Sequence, residues 1–233
     1  MFYWIMKTLI GGPLLRLIWR PWAKGRENIP KTGPVILASN HLAVIDSFFM
    51  PIMLRRRVLF LGKSEYVSGR GIKGRLVAWF MRGVGLIPVD RTSGRASEAA
   101  LATGLAKLNE GEIFCLYPEG TRSPDGRLYR GKTGVARLAL ESGAPVIPVA
   151  MFDTNVAQPI GQVFPKVMRI GMEFGKPIDL SHWQGKEYDR ATLRAVTDKI
   201  MSEIQEISGQ EYVDTYAATR KAQLAAGPGQ EQS

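Results

Sequence analysis

Short apolar runs, each about one strand long, alternate with helix-length stretches along most of this chain. That alternation restricts it to a central sheet with helices on its faces. Val35–Ser39, after a Lys31-Thr32-Gly33-Pro34 turn, reads as a buried strand, as do Val58–Gly62, Gly85–Val89, Ile113–Leu116 and Pro145–Met151. Between them Ser47–Leu54, Ile72–Arg82, Ser93–Asn109 and Thr133–Ser142 read as helices, with Gly111 and Gly143 as stops for the last two. Pro51 is awkward in its helix unless it falls in the first turn. Met168, Ile170, Met172 and Phe174 alternate with Arg169, Gly171 and Glu173, the pattern of a half-exposed strand. Leu193, Val196, Ile200, Ile204 and Ile207 mark an amphipathic helix. The expected fold is α/β: a mixed, largely parallel central sheet flanked by helices, without internal repeats.

The N-terminus stands apart. Residues 2–24 hold Phe2, Tyr3, Trp4, Trp19 and Trp22 with four cations and no acid, and three of the five tryptophans of the chain. Aromatic residues with flanking Lys and Arg suit a lipid–water interface. Lys7, Arg16 and Arg20 interrupt any spanning stretch, and Gly11-Gly12-Pro13 is expected to break the segment into two short interfacial helices. Packing of one such helix on the protein's own core is the other reading. No basic leader or small-residue cleavage site marks a secretory signal. The expected organisation is an N-terminal membrane-interface segment over 1–24, one domain over 25–210, and a polar tail over 211–233 that frays from Ala217.

A net charge of +10 on 233 residues asks for an anionic partner: nucleic acid, a membrane surface or a phosphorylated substrate. The run from Arg55 to Arg75 alone has seven cations against Glu65. Cys115 is the only cysteine, so an internal disulfide and a cysteine metal cage are both excluded. Gly69-Arg70-Gly71-Ile72-Lys73-Gly74 matches the glycine pattern of a dinucleotide loop, with Asp90 about 20 residues on. The first glycine does not leave a strand directly, however, because Lys63–Ser68 intervene, and a flexible basic loop explains the run as well.

One of the two histidines, His41, lies five residues before Asp46 in the apolar stretch SNHLAVIDSFF. On a continuous helix the two would point about 140° apart. They meet if His41 precedes the helix and Asp46 sits in its first turn, where the helix dipole favours a carboxylate. The carboxylate would then hold one imidazole nitrogen and leave the other as a base. A capped helix with a satisfied histidine is equally compatible with these residues alone. Other polar islands also fall at strand ends or helix starts: Asp90-Arg91, the turn Tyr117-Pro118-Glu119-Gly120-Thr121-Arg122-Ser123, and Lys132-Thr133-Gly134. Their donors suit phosphate oxygens, and such positions converge on one crevice in an α/β sheet. Cations grouped with Asp46 and Glu119 suit a small polar pocket better than a stripe that tracks nucleic acid.

Asn40-His41-x4-Asp46, Leu86-Ile87-Pro88-Val89-Asp90-Arg91, the Tyr117–Ser123 turn and Val146-Ile147-Pro148-Val149 together resemble the four blocks of the glycerolipid acyltransferases, in order and spacing from about residue 24 to 180. The bacterial 1-acylglycerol-3-phosphate acyltransferases are the most similar type. The resemblance implies O-acyl transfer in phospholipid synthesis, with His41 as general base and Asp46 orienting it. It implies Arg91 and Arg122 on the acceptor phosphate, Gly120, Thr121 and Ser123 shaping that site, Glu119 placing the glycerol or bracing an arginine, and Val146–Val149 on the acyl-donor side. Lys132 matches a Phe-Lys-x-Gly segment in which Gly131 replaces the Phe. The implied donor is acyl-CoA or acyl-acyl carrier protein, and the acceptor is lysophosphatidic acid, glycerol-3-phosphate or another lysolipid. No metal or other cofactor and no nucleic acid is implied. The implied setting is the cytoplasmic face of the cell membrane with its anionic lipids. No G-x-S-x-G elbow is present, which speaks against a covalent serine route. A nicotinamide oxidoreductase using Gly69–Gly74 is the alternative, and it leaves His41, Arg91 and Arg122 without a task.

Overall fold

A computed structural model of the chain describes residues 2–63, 71, 74, 75, 79, 85–89, 96–185 and 188–226. Strand β2, Val35–Ser39, runs through its middle and is buried at every position. The other strands are β1 Trp22–Lys24, β3 Val58–Lys63, β4 Leu86–Val89, β5 Ile113–Leu116, β6 Leu128–Tyr129, β7 Val146–Phe152, β8 Gly171–Phe174 and β9 Tyr212–Val213. Seven form one sheet in the order β1-β8-β7-β2-β5-β3-β4, while β6 and β9 pair separately. All neighbours in the large sheet are parallel except β7 and β8. β2 lies between β5 and β7, with Ala38 beside Leu116 and Ser39 beside Val149. The chain therefore leaves β2 on one side, returns through β5, and crosses to β7 on the other. Such a reversal opens a crevice at the carboxyl ends of the strands.

The continuous apolar run of β2 follows from this position, since both faces of the sheet are covered. Val35 and Leu37 pack into one core with Phe49, Met50 and Phe174, to which Leu15 and Trp19 of the N-terminal segment add. Ile36 and Ala38 face a second core with Phe114, Val135, Leu138 and Ile200, made with helices Ala96–Asn109, Gly134–Ser142 and Arg190–Ser208. A buried Leu, Ile or Phe side chain contributes about 1.5–3 kcal/mol over an exposed one, so these two cores hold the sheet. The Arg190–Ser208 helix starts where Asp189 accepts a 2.6 Å hydrogen bond from Thr192 N, and it stops at left-handed Gly209.

Three expectations change. Gly11-Gly12-Pro13 does not break the N-terminal segment: Phe2–Ile5 is α-helix, Met6–Ile10 is a π turn, and Gly11–Trp19 continues as α-helix. Pro13 is the third residue of that last helix, directly after the π turn. The chain after Ala217 does not fray through Ala226. Ala217–Ala226 is helix with Ala217 fully buried, and it is held by the 3.0 Å bond from Arg130 N to Thr215 O and the Arg130 guanidinium over the Tyr216 ring. Pro51 lies not in the first turn but in the sixth position of Asp46–Met53, two residues before that helix ends. The short strands β1, β6 and β9 have no period long enough to be read locally. Most of the expected Ile72–Arg82 helix lies outside the described residues.

Asn40, just beyond β2, locks the sheet edge where the crevice opens. Buried completely, it accepts from Met151 N at 2.7 Å and donates to Met151 O at 3.1 Å and Gln210 Oε1 at 2.7 Å. Asn40→Ala removes these three bonds, together with a longer one at 3.4 Å from Ser39 Oγ, and strands two buried main-chain groups. It is expected to lower stability by about 2–4 kcal/mol, read as a lower urea midpoint at unchanged slope.

Candidate active site

The turn after β2 sets the site. Residues 40–45 leave the strand without helical structure, and Asp46 opens the Asp46–Met53 helix. Asp46 is fully buried, and its Oδ2 lies 2.9 Å from His41 Nδ1. The same oxygen accepts from Leu42 N at 2.8 Å and Ala43 N at 2.9 Å. An oxygen accepting two backbone N–H groups takes its third bond from an imidazole N–H, which places the proton on Nδ1 and leaves Nε2 as an acceptor. Oδ1 of Asp46 has no hydrogen-bond partner among the described residues. The His41 ring stacks on Tyr117, with centroids 3.8 Å apart and planes 10° apart. Tyr117 is itself fixed by a 2.9 Å bond between its hydroxyl and Ser47 Oγ. The imidazole is thus held by edge and by face, and its side chain remains 17% exposed.

The turn after β5 builds the other wall. Glu119 is 1% exposed, and it uses its carboxyl on the main chain: Oε1 accepts from His41 N at 3.2 Å and Oε2 from Tyr129 N at 3.0 Å. Ser123 N donates to His41 O at 2.7 Å. The two turns are therefore stitched together through the backbone of His41 on both sides. Burial pushes the Glu119 carboxyl up to about 8; the bonds from Tyr129 N and His41 N, and the Lys221 charge, pull the other way.

Cations gather around Gly120-Thr121-Arg122. Gly120 is left-handed, with φ +72°, and a Cβ there would lie 3.0 Å from Lys132 Cε and 3.2 Å from Lys132 Nζ. Glycine is favoured here by the left-handed turn, and a Cβ would also crowd the flexible end of the lysine packed across it. Lys132 N donates to Pro118 O at 2.8 Å, which fixes the base of that lysine. Lys221, from the C-terminal helix, donates to Thr121 Oγ1 at 2.6 Å. Arg122 is partly exposed in the same turn. An anion brought here would meet charges from three separate chain segments. Gly131 is buried, and a Cβ there would come within 2.8 Å of Met201 Sδ, so the Arg190–Ser208 helix packs where a Phe would otherwise stand.

Of the residues singled out from sequence, His41, Asp46, Glu119, Gly120, Thr121, Ser123 and Lys132 come together, with Arg122 on the same turn. Arg91 lies outside the described residues, as do Gly69, Arg70, Ile72 and Lys73 of the glycine-rich run. Sequence reasoning missed three residues. Lys221 sits in an Ala- and Gln-rich tail with no local signal. Tyr117 was read as part of a block and not as the ring beneath His41. Gln158 accepts from Ile45 N at 3.1 Å and so braces the His41–Asp46 loop from the far side of β7.

A family model described as "Acyltransferase" matches residues 21–152, more than half of the chain. A chloroplastic 1-acyl-sn-glycerol-3-phosphate acyltransferase of Arabidopsis thaliana is 32% identical over 59% of this chain and 37% of its own length. Enzymes with the same name from Borreliella burgdorferi and Bacillus subtilis are 27% and 26% identical over 78% and 79% of this chain, and over 71% and 86% of theirs. The chain spans less than half the length of the chloroplastic relatives, 37% and 39%. Among solved structures, the 1-acyl-sn-glycerophosphate acyltransferase PlsC of Thermotoga maritima aligns with a TM-score of 0.63 at 22% identity, covering 86% of this chain and 80% of that one, which shows a shared fold.

The raised carboxyl of Glu119 has a pH consequence. A folded-state value near 8 against an ordinary 4.5 means that the folded protein binds this proton more tightly than the unfolded chain. The resulting stability is full below pH 4.5, declines as pH rises, and is gone above about 8. Glu119→Gln keeps one acceptor and removes the titration. Across pH 5 to 8, wild-type stability is expected to fall relative to this variant; urea midpoints measured in a pH series check it.

Proposed function

Because the chain belongs to the acyltransferase family, we propose that it moves a fatty acyl group from an acyl thioester to a hydroxyl of a phosphorylated glycerol, with lysophosphatidic acid as the acceptor and phosphatidic acid as the product. The single observation that carries this reading is the 2.9 Å contact of His41 Nδ1 with buried Asp46, set beside a cationic turn. Nε2 of His41 takes the proton of the acceptor hydroxyl as its oxygen attacks the thioester carbonyl carbon. The C–O bond forms, the C–S bond breaks, and the departing thiolate takes the proton from the imidazolium. No acyl-enzyme and no cofactor is needed. Asp46 holds the tautomer and stabilises the transient positive charge on the ring.

Arg122, Lys132 and Lys221 hold the acceptor phosphate, and Arg91, two positions after Val89 in the sequence, is assigned to the same task. Glu119 acts through the backbone of His41 and shapes the loop, while Thr121 and Ser123 complete the turn. The relatives that carry the name 1-acyl-sn-glycerol-3-phosphate acyltransferase support the choice of acceptor. Acyl-CoA and acyl-acyl carrier protein are both anionic donors compatible with a net charge of +10. The aromatic, cationic N-terminus supports work at the anionic, cytoplasmic face of the cell membrane. No described helix is long and apolar enough to cross a membrane, and a peripheral or monotopic attachment accords with that.

Purified protein in detergent or lipid is expected to transfer a labelled acyl group from acyl-CoA to lysophosphatidic acid. His41→Ala should lose about 10²–10⁴-fold in turnover while staying folded; full activity in that variant contradicts the base assignment. Arg122→Ala, Lys132→Ala, Lys221→Ala and Arg91→Ala should each raise the acceptor KM by about tenfold, the worth of one charge-assisted contact, with kcat largely kept. An acceptor KM that none of the four moves would remove the phosphate cradle.

A further inference from the structure

Between β7 and β8 the chain makes an excursion whose outer part, residues 159–167, contributes no side chain to the active site. Ile160, Val163, Phe164 and Val167 are 50%, 76%, 82% and 68% exposed. Four large apolar side chains turned to water in one short loop is a composition that marks an interaction surface. The loop is nonetheless built. Lys166 N closes it on Ala157 O at 2.8 Å, and Gln162 N turns it on Pro159 O at 3.0 Å. The Trp19 indole N–H donates to Lys166 O at 2.8 Å, which joins the loop to the helix Gly11–Trp19, whose Leu14 and Leu17 are 53% and 72% exposed.

The charges on the loop itself have one sign, with exposed Asp153 and half-buried Glu173 flanking it. Residues 154–172 contain Lys166 and Arg169 and no carboxylate; of the five cations in residues 2–26, Lys7, Arg16 and Arg26 are bonded to carbonyls of the protein and Lys24 pairs with Glu173, while Arg20 is exposed. Exposed hydrophobic tips among cations fit an anionic bilayer surface: the tips displace water at the headgroup boundary, and the cations face lipid phosphate. We propose that the 159–167 loop is a second lipid-inserting arm, entering the headgroup layer beside the N-terminal helix.

The arm is tied to the chemistry. Gln158 donates to Val163 O at 2.9 Å while its other end accepts from Ile45 N, so one buried side chain bridges the loop tip and the His41–Asp46 loop. Trp19 meets Phe49 edge-on at 5.9 Å, within the helix that Asp46 opens. Seating both arms in lipid fixes the height and tilt of the His41 crevice over the bilayer, where a lipid-borne acceptor presents its hydroxyl. This rests on the proposed acceptor, but its test reads binding and not turnover, so the two can fail separately.

The full chain carrying Phe164→Cys is labelled with the polarity-sensitive fluorophore NBD. The native Cys115 is fully buried, and that burial raises its thiol pKa, so it stays unlabelled. With vesicles of phosphatidylcholine and phosphatidylglycerol, the emission is expected to shift to the blue and brighten several-fold, with quenching by a shallow nitroxide lipid. Emission that stays water-like while the protein sediments with the vesicles overturns the proposal. The double variant Val163→Ser, Phe164→Ser should bind the same vesicles at least about tenfold more weakly and keep its turnover of a short-chain, water-soluble acceptor. Unchanged vesicle binding overturns the proposal, as does a dimer in solution that this variant alone converts to monomer, since the face would then belong to a second copy.

Discussion

One oxygen atom organises this site. Oδ2 of Asp46 accepts from Leu42 N, Ala43 N and His41 Nδ1, all within 2.9 Å. A carboxylate with no exposed surface needs such donors, because burying an unpaired charge costs several kcal/mol. Here the donors come from the turn that Asp46 itself closes. The same three bonds satisfy one oxygen of the carboxylate, fold residues 41–43 around it, and fix which nitrogen of His41 carries the proton. Removing the carboxylate would release both the loop and the tautomer, so geometry and reactivity share one anchor.

The anchor works because the sheet presents it correctly. β2 and β5 are parallel neighbours in register from Val35↔Ile113 to Ala38↔Leu116, so their following turns emerge side by side. Glu119 spends its carboxyl on two backbone N–H groups, His41 N in the turn after β2 and Tyr129 N in β6, and is displaced upward from its ordinary titration by burial. The cationic rim lies one residue further, at Gly120 and Thr121. The His41 ring and the cationic turn are thus linked through Glu119, whose carboxyl holds the His41 backbone next to that turn.

The long strands and helices were readable from the sequence, because β2, β3, β5 and β7 are apolar runs bounded by turn residues and Arg190–Ser208 has a clean helical period. The meeting of His41 and Asp46 was readable as a possibility that hinged on where the helix begins, and its start at Asp46 settles that point. What could not be read was long-range. Lys221 reaches Thr121 from 100 positions away, and Gln158 reaches Ile45 from 113. Neither has a local pattern, since each is placed by the packing of other elements. β1, β6 and β9 are two or three residues long and exist only through their partners. The helical path through Gly11-Gly12-Pro13 shows a different limit, in which a breaker motif directly follows a π turn and makes no break.

The account depends most on the tautomer of His41. Long-range ¹H–¹⁵N correlation on protein labelled at its two histidines, His41 and His182, at a pH where both rings are neutral, reports the proton position on each ring directly. The account predicts that His41 carries its proton on Nδ1, with Nε2 bare, and that Asp46→Asn scrambles this preference. A His41 ring protonated on Nε2 in the wild-type protein would leave no base facing the substrate and would contradict the mechanism.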